Sequence, residues 1–370
     1  MDASPLDASS PDESLFDVSL WEGRKVLVTG HTGFKGAWLC LWLERLGAEV
    51  VGYALEPPST PNLFDLSGLA GSLTSEIADI RDLERLRAVV ERERPEVIFH
   101  LAAQSLVRES YRDPVTTYAT NVMGTVHVLE AARTTPGVRA VVVVTSDKCY
   151  ENREWVWPYR EHEPMGGHDP YSNSKGCSEL VTAAYRASFF EPESQGPAVA
   201  TARAGNVIGG GDWAADRLLP DIVRGALAGE NIHIRSPHAI RPWQHVLEPL
   251  SGYLALAEGL LRDGGQFVGA WNFGPDDDDA RPVGWIVEHM AGLLGDRMRW
   301  SQDTQAHPHE AMTLKLDASK ARHHLGWRPR LPLPMALEWL VDWYRRLDDG
   351  EDARTLCNEQ LSRYEALARG

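Results

Sequence analysis

The chain has 370 residues, enough to bury one large or two moderate cores, and its 43% hydrophobic and 24% charged content is ordinary for a globular protein. A formal net charge of -16 excludes a nucleic-acid partner, which needs a basic face, but leaves room for a nucleotide held by a few amides and arginines. Four cysteines without metal-type spacing exclude a disulfide framework and fit a reducing, cytoplasmic setting, and no apolar run is long enough to span a membrane.

Residues 1–20 are rich in Asp, Ser and Pro, with neither a basic nor an apolar region, and read as a mobile leader rather than a signal peptide. A strand at 25–28 leads into a Gly-rich turn, a helix over 37–46 and a second strand over 49–53. The alternation continues with a helix over 81–92, a strand over 97–101, a helix over 121–133 and a strand over 141–145. A long helix over 171–190 and a strand over 198–202 complete it. Nearly continuous apolar strands alternating with helices predict an α/β fold, a Rossmann-type doubly wound parallel sheet covered on both faces. That nucleotide-binding domain is placed at 21–205. A smaller C-terminal substrate-binding lobe is placed at 206–370, where Gly, Trp and Pro become frequent and segments are free to interleave with the first domain. The run Asp276 to Asp279 reads as a solvated acidic loop rather than a calcium site, and no metal site is expected.

The turn Gly30-His31-Thr32-Gly33-Phe34-Lys35-Gly36 stands between the first strand and first helix. Glycines there allow a tight turn and close approach of backbone to a pyrophosphate, and the helix N-terminus offers amides and a positive dipole end. Downstream, Tyr171 and Lys175 lie four apart on one helix and so share a face, where an ammonium would lower the phenol's pKa. Ser146 ends a strand, and Asp147 and Lys148 follow it at the sheet edge where open α/β sheets bind ligands. A plain epimerase or alcohol dehydrogenase needs only the Ser/Tyr/Lys set. An adjacent acid and amine suggest a second proton transfer, such as loss of water, with a surface ion pair as the bland alternative.

These motifs resemble the extended short-chain dehydrogenase family, and within it the CDP-glucose 4,6-dehydratases. The likeness runs from Trp21 to Leu325-Gly326-Trp327 and includes Thr145-Ser146-Asp147-Lys148-Cys149-Tyr150, Arg203-Ala204-Gly205-Asn206 and Arg241-Pro242-Trp243. The resemblance implies NAD bound by the Gly30–Gly36 loop, by Asp79 and Ile80, by Leu101, Ala102 and Ala103, and by Tyr171 and Lys175. It implies that Tyr171 takes the proton of the sugar 4-hydroxyl, Lys148 the proton at carbon 5, and that Asp147 protonates the departing 6-hydroxyl. Gln104, Arg108, Asn206 and Arg241 are the expected contacts to a nucleotide-sugar substrate, Arg241 to its diphosphate. One position departs from the family pattern. The second strand usually ends in an acid for the adenosine ribose, and Ala54 stands there, with Glu56 two residues on. Lys35 and Arg81 could instead meet a 2′-phosphate, so the residues alone leave NADP open. Relatives pair through the helices at 121–133 and 171–190, which implies a homodimer, or a tetramer built from it. A nucleotide-sugar 4-epimerase and a non-catalytic NAD-binding scaffold are the competing readings.

Overall fold

Short apolar segments in the first 204 residues become strands because most of their residues are buried from both sides. The computed structural model describes residues 15–190, 196–303 and 312–368. Among these, the strands are β1 (Lys25–Thr29), β2 (Glu49–Ala54), β3 (Thr74–Ile77), β4 (Val97–His100), β5 (Ala140–Val144) and β6 (Ala198–Ala204). They continue as β7 (Asn206–Ile208), β8 (Asn231–Ile234), β9 (Ile240–His245), β10 (Gly269–Phe273), β11 (Ala280–Pro282) and β12 (Arg299–Gln302). Seven of them form one parallel sheet in the order β10-β6-β5-β4-β1-β2-β3. The order reverses between β1 and β4, so a crevice opens above their carboxyl ends.

Helices cover both faces. On one side Phe34–Arg45 and Leu247–Arg262 bury Trp38, Trp42, Leu250 and Leu254 against Val26, Val28, Val142 and Ala200. On the other, Leu83–Glu93 and Gly124–Thr134 bury Leu86, Val90, Val128 and Leu129 against Leu27, Ile98 and Val141. Alternate strand residues therefore feed opposite cores, which is why apolar residues fill most strand positions. The strand β3 had no sequence signal. It is the edge strand, its residues are exposed or half-buried, and its sequence Thr-Ser-Glu-Ile carries no apolar run. The helix expected at 121–133 begins as a π turn, Ala119–Met123, and becomes α-helical from Gly124.

After residue 205, β7, β9 and β11 form a small mixed sheet and β8 pairs with β12, beside the helices Leu218–Ala228 and Val283–Leu294. The chain then returns: β10 pairs in parallel with β6 as the far edge of the first sheet. The helix Ala353–Leu367 packs against Phe34–Arg45, where Glu365 accepts from Trp42 Nε1 at 3.1 Å and pairs with Arg45 at 3.0 Å. Residues 15–20, expected to belong to a mobile leader, are packed instead. Phe16 is buried with its ring 5.3 Å from Trp42, and Trp21 Nε1 donates to Glu258 at 2.8 Å. The first fourteen residues lie outside those described. Asp276 and Asp277 are paired with Arg322 and Lys315, and no cluster of potential metal ligands occurs among the described residues. No helix among them is long and apolar enough to cross a membrane.

Candidate active site

The loop after β1 shows why its glycines are needed. Gly30 has φ +79°, and a Cβ there would lie 2.8 Å from the Ala102 nitrogen; at Gly36 it would lie 2.1 Å from the Gly30 oxygen. No side-chain cap bonds the helix Phe34–Arg45 at Gly33, so the amides of its first turn are left without a capping side chain. That is the cradle a dinucleotide pyrophosphate requires. Leu101 and Ala102 run along the opposite wall, their amides held by Thr29, and Ala103 follows them. Asp79 is bound to Arg81 through both oxygens, at 2.6 to 3.0 Å, which holds its carboxyl below the usual range and occupies Arg81, the cation considered for a 2′-phosphate. Ile80 is buried behind it against Gly124. Thr32 Oγ1 donates to the Leu55 carbonyl at 2.9 Å and closes the loop onto β2.

Two expected contacts point elsewhere. His31 is wholly buried: its ring fills the space over Gly52, Nε2 is 2.8 Å from Ser75 Oγ, and Phe64 meets it edge-on. Burial pushes the imidazole down to about 4, so it is a neutral packing group, and only its backbone belongs to the loop. Gln104 is consumed locally. Its amide nitrogen donates to Leu106 O and Thr117 Oγ1, and its oxygen accepts from the Leu106 nitrogen at 2.6 Å, which leaves the side chain nothing to give a substrate.

A cleft of about 320 Å³ opens between the sheet edge and the second lobe. Phe34, Lys35, Arg108, Ser146, Asp147, Lys148, Tyr171, Asn206 and Arg241 all line it. The helix Pro170–Phe189 starts where it does because Asp169 accepts from the Ser172 nitrogen at 2.9 Å and Pro170 takes the first helical position. It delivers Tyr171 and Lys175 from one face to the end of β5. Ser146 Oγ donates to Asp147 Oδ1 at 2.9 Å and accepts from the Lys148 nitrogen at 3.2 Å, closing a tight turn. Asp147 is 2% exposed, and burial raises its carboxyl despite the opposition of Lys148, the Ser146 hydroxyl and Arg241. A raised carboxyl beside a reacting oxygen is suited to donate a proton.

The expected electrostatics of Tyr171 need correction. Lys175 is buried, its ammonium donates to the Val144 carbonyl at 3.1 Å, and burial pushes it down to about 8. Tyr171 is pushed up to about 12 by burial, and the groups that pull it back are the Ser146 hydroxyl and the guanidinium of Arg217. Arg217 had no sequence signal. It stands before the helix Leu218–Ala228, bonded to Asp212 at 2.9 Å and Ser105 at 2.9 Å, and reaches across the cleft. Arg108 is paired with Asp216 at 3.3 Å at the cleft mouth, and Asn206 opens β7 opposite Trp243. Arg241 lies on β9, 8% exposed, opposite Arg281 of β11.

The family described as GDP-mannose 4,6 dehydratase matches residues 27–259. The chain is 54% identical over 353 residues to CDP-glucose 4,6-dehydratase of Salmonella typhimurium, covering 95% of this chain and 98% of that protein. It is 28% identical to dTDP-glucose 4,6-dehydratase of Streptomyces antibioticus, over 86% of this chain and 92% of that one. Among solved structures, dTDP-glucose 4,6-dehydratase from Bacillus anthracis in complex with NAD superposes with a TM-score of 0.72 at 22% identity. That match covers 90% of this chain and 100% of the other. UDP-glucose 4-epimerase of Thermotoga maritima with UDP-glucose superposes with a TM-score of 0.74 at 22% identity, covering 87% and 99%. The family model spans more than half of the chain and the Salmonella relative is 54% identical across nearly all of it, so this chain is a member of the GDP-mannose 4,6 dehydratase family of extended short-chain dehydrogenases.

Proposed function

We propose that this chain is an NAD-dependent CDP-glucose 4,6-dehydratase, converting CDP-D-glucose to CDP-4-keto-6-deoxy-D-glucose and water. The observation that carries this reading is the buried Asp147 with its raised carboxyl, set between Ser146 and Lys148 in the cleft that Tyr171 also lines. The 54% identity to a CDP-glucose 4,6-dehydratase supports it. NAD, when bound, would supply the redox chemistry, a hydride acceptor for carbon 4 of the sugar and a hydride donor for carbon 6. The glycine loop, the 101–103 wall and Lys175 would hold that cofactor.

Tyr171, with Ser146 beside it, takes the proton of the 4-hydroxyl. The resulting ketone acidifies carbon 5, whose proton Lys148 removes, while Asp147 protonates the 6-hydroxyl as it leaves as water. Lys148 gives its proton back to carbon 5 when the double bond is reduced. Over the cycle Tyr171 gains one proton and Asp147 loses one, so solvent closes the balance between them. Arg241 and Arg217 offer planar donors to the diphosphate, and Asn206 contacts the sugar or its phosphate. The chain pairs with a second copy through the helical stretch 119–134 and the helix Pro170–Phe189, where Met123 and Leu180 are 47% and 59% exposed. Buried free cysteines Cys40, Cys149 and Cys357 fit a reducing cytoplasm.

The test is incubation with CDP-, dTDP-, UDP- and GDP-glucose, followed by weighing the products. CDP-glucose should give a product lighter by one water with no net consumption of NAD. A product of unchanged mass would point to an epimerase, and stoichiometric NADH to an ordinary dehydrogenase.

A further inference from the structure

Thr145 and Tyr150 bracket the turn that carries Ser146, Asp147 and Lys148, and one buried ion pair grips both ends. Thr145 Oγ1 donates to Glu179 Oε1, while Tyr150 OH accepts from Arg203 at 2.7 Å and donates to Asn272 Oδ1 at 2.7 Å. Arg203 binds Glu179 through two parallel bonds, of 2.9 and 2.7 Å, and also donates to the Glu161 carbonyl. Thr201 Oγ1, at 2.7 Å, fills the last position on the carboxylate. Glu179 and Arg203 are 5% and 3% exposed. Glu179 lies four residues beyond Lys175 and eight beyond Tyr171, on the same face of one helix. It is the first charge that opposes the depression of Lys175 by burial.

A buried ion pair adds little net stability over an apolar pair of the same shape, so stability alone does not account for it. What it does have is reach. Its partners come from β5, β6, the catalytic helix and the segment after Lys148, with Tyr150 extending the connection to β10.

We propose that Glu179 and Arg203 are positioning residues that hold the Asp147–Lys148 turn at a fixed offset from Tyr171 and Lys175. Oxidation and elimination then address neighbouring carbons of one sugar without its moving. The inference rests on the dehydratase reading. Because the pair's two grips are separate, the Tyr150 grip can be released while the pair and the catalytic helix stay intact.

Tyr150→Phe removes only the hydroxyl held by Arg203 and Asn272. Arg203→Lys keeps a cation for Glu179 but cannot also reach Tyr150 and Glu161. Single-turnover absorbance of reduced nicotinamide, with quenched samples weighed for water loss, should show oxidation near the wild-type rate in both variants. Elimination should slow roughly ten- to a hundredfold, the scale of an ångström-level misplacement, so that reduced nicotinamide accumulates and KM stays unchanged. Wild-type elimination in both variants, or equal loss of both steps in protein that melts normally, would overturn the proposal. If Arg203→Lys does not fold, Tyr150→Phe alone decides. A wild-type enzyme that never removes water from CDP-glucose overturns the dehydratase reading itself, an outcome distinct from normal wild-type turnover with unaffected variants.

Discussion

Ser146 Oγ lies 2.9 Å from one oxygen of Asp147, and the other oxygen, Oδ2, is buried with no hydrogen-bond partner. A carboxylate would be costly in that state, whereas a protonated carboxyl carries no charge to bury. Folding therefore favours the acid form. A carboxyl raised by burial contributes stability that is complete below its ordinary value of 3.8 and is lost as pH rises through its folded value. Asp147→Asn, which carries no charge to bury, should melt above wild type near pH 8, and the two should converge near pH 4. Equal melting curves at both pH values would show that the burial of Asp147 is not felt.

Lys148→Met and Asp147→Asn should both spare the first oxidation and slow elimination by roughly 10²–10⁴-fold, the usual weight of one proton-transfer group. Single-turnover traces should show reduced nicotinamide before product. In deuterated solvent, Lys148→Met should suppress exchange at carbon 5, and Asp147→Asn should retain it if elimination is stepwise. Loss of exchange in both would speak for a concerted elimination, and wild-type turnover of Lys148→Met would remove Lys148 from the chemistry.

Lys35 sits in the cleft with its ammonium over the Tyr253 ring at 5.9 Å, pushed down to about 8 by burial and by Lys175 and Arg217, with Asp147 opposing. The unfolded chain binds that proton more tightly, so the cost is fully present below about pH 8 and fades towards the ordinary value of 10.5. Lys35→Met should accordingly stabilise the protein at pH 7 by on the order of 1–3 kcal/mol, less near pH 10. Denaturant unfolding at the two pH values checks this, and a pH-independent difference would refute the assignment.

Arg241→Ala should raise KM roughly ten- to a hundredfold with little change in kcat, since a charged hydrogen bond to a diphosphate is present in ground and transition states alike. Arg217→Ala should lower kcat as well, because the cation facing Tyr171 goes with it. Steady-state kinetics separates the two, and identical profiles would mean the arginines do one job.

A Cβ on Gly52 would stand 2.3 Å from the His31 ring. Gly52→Ala should cost about 1–3 kcal/mol through overpacking, and His31→Ala in that background should recover part of the loss. Strictly additive losses in a double-mutant cycle would show that the ring moves aside freely.

Much of the fold was legible because burial on both faces writes itself as apolar runs: β1, β2, β4, β5 and β6 were all visible within a few residues. The edge strand β3 was not, since half of its surface meets water and its residues need not be apolar. The site was legible where chemistry fixes spacing, as with Tyr171 and Lys175 on one helix face. It was illegible where position comes from tertiary folding. Arg217 comes from beyond residue 205, acts on the Tyr171 phenol through its charge, and carries no motif of its own. His31 and Gln104 misled because their places in the loops are those of ligand contacts, yet the side chains turn inward, to Ser75 and to Leu106 and Thr117.

The strand β10 and the helix Ala353–Leu367 come from far along the chain, yet they complete the nucleotide-binding half. A ribosome that has released the chain only as far as β6 presents a sheet with a bare edge, and the outer surface of Phe34–Arg45 stays uncovered until Ala353–Leu367 has emerged. Assembly must wait on pairings between residues hundreds of positions apart, the kind that forms slowly. A partly made sheet of this kind exposes an unpaired edge that invites aggregation, and a chain cut after β6 should lack both the β10 edge and the cover of Ala353–Leu367.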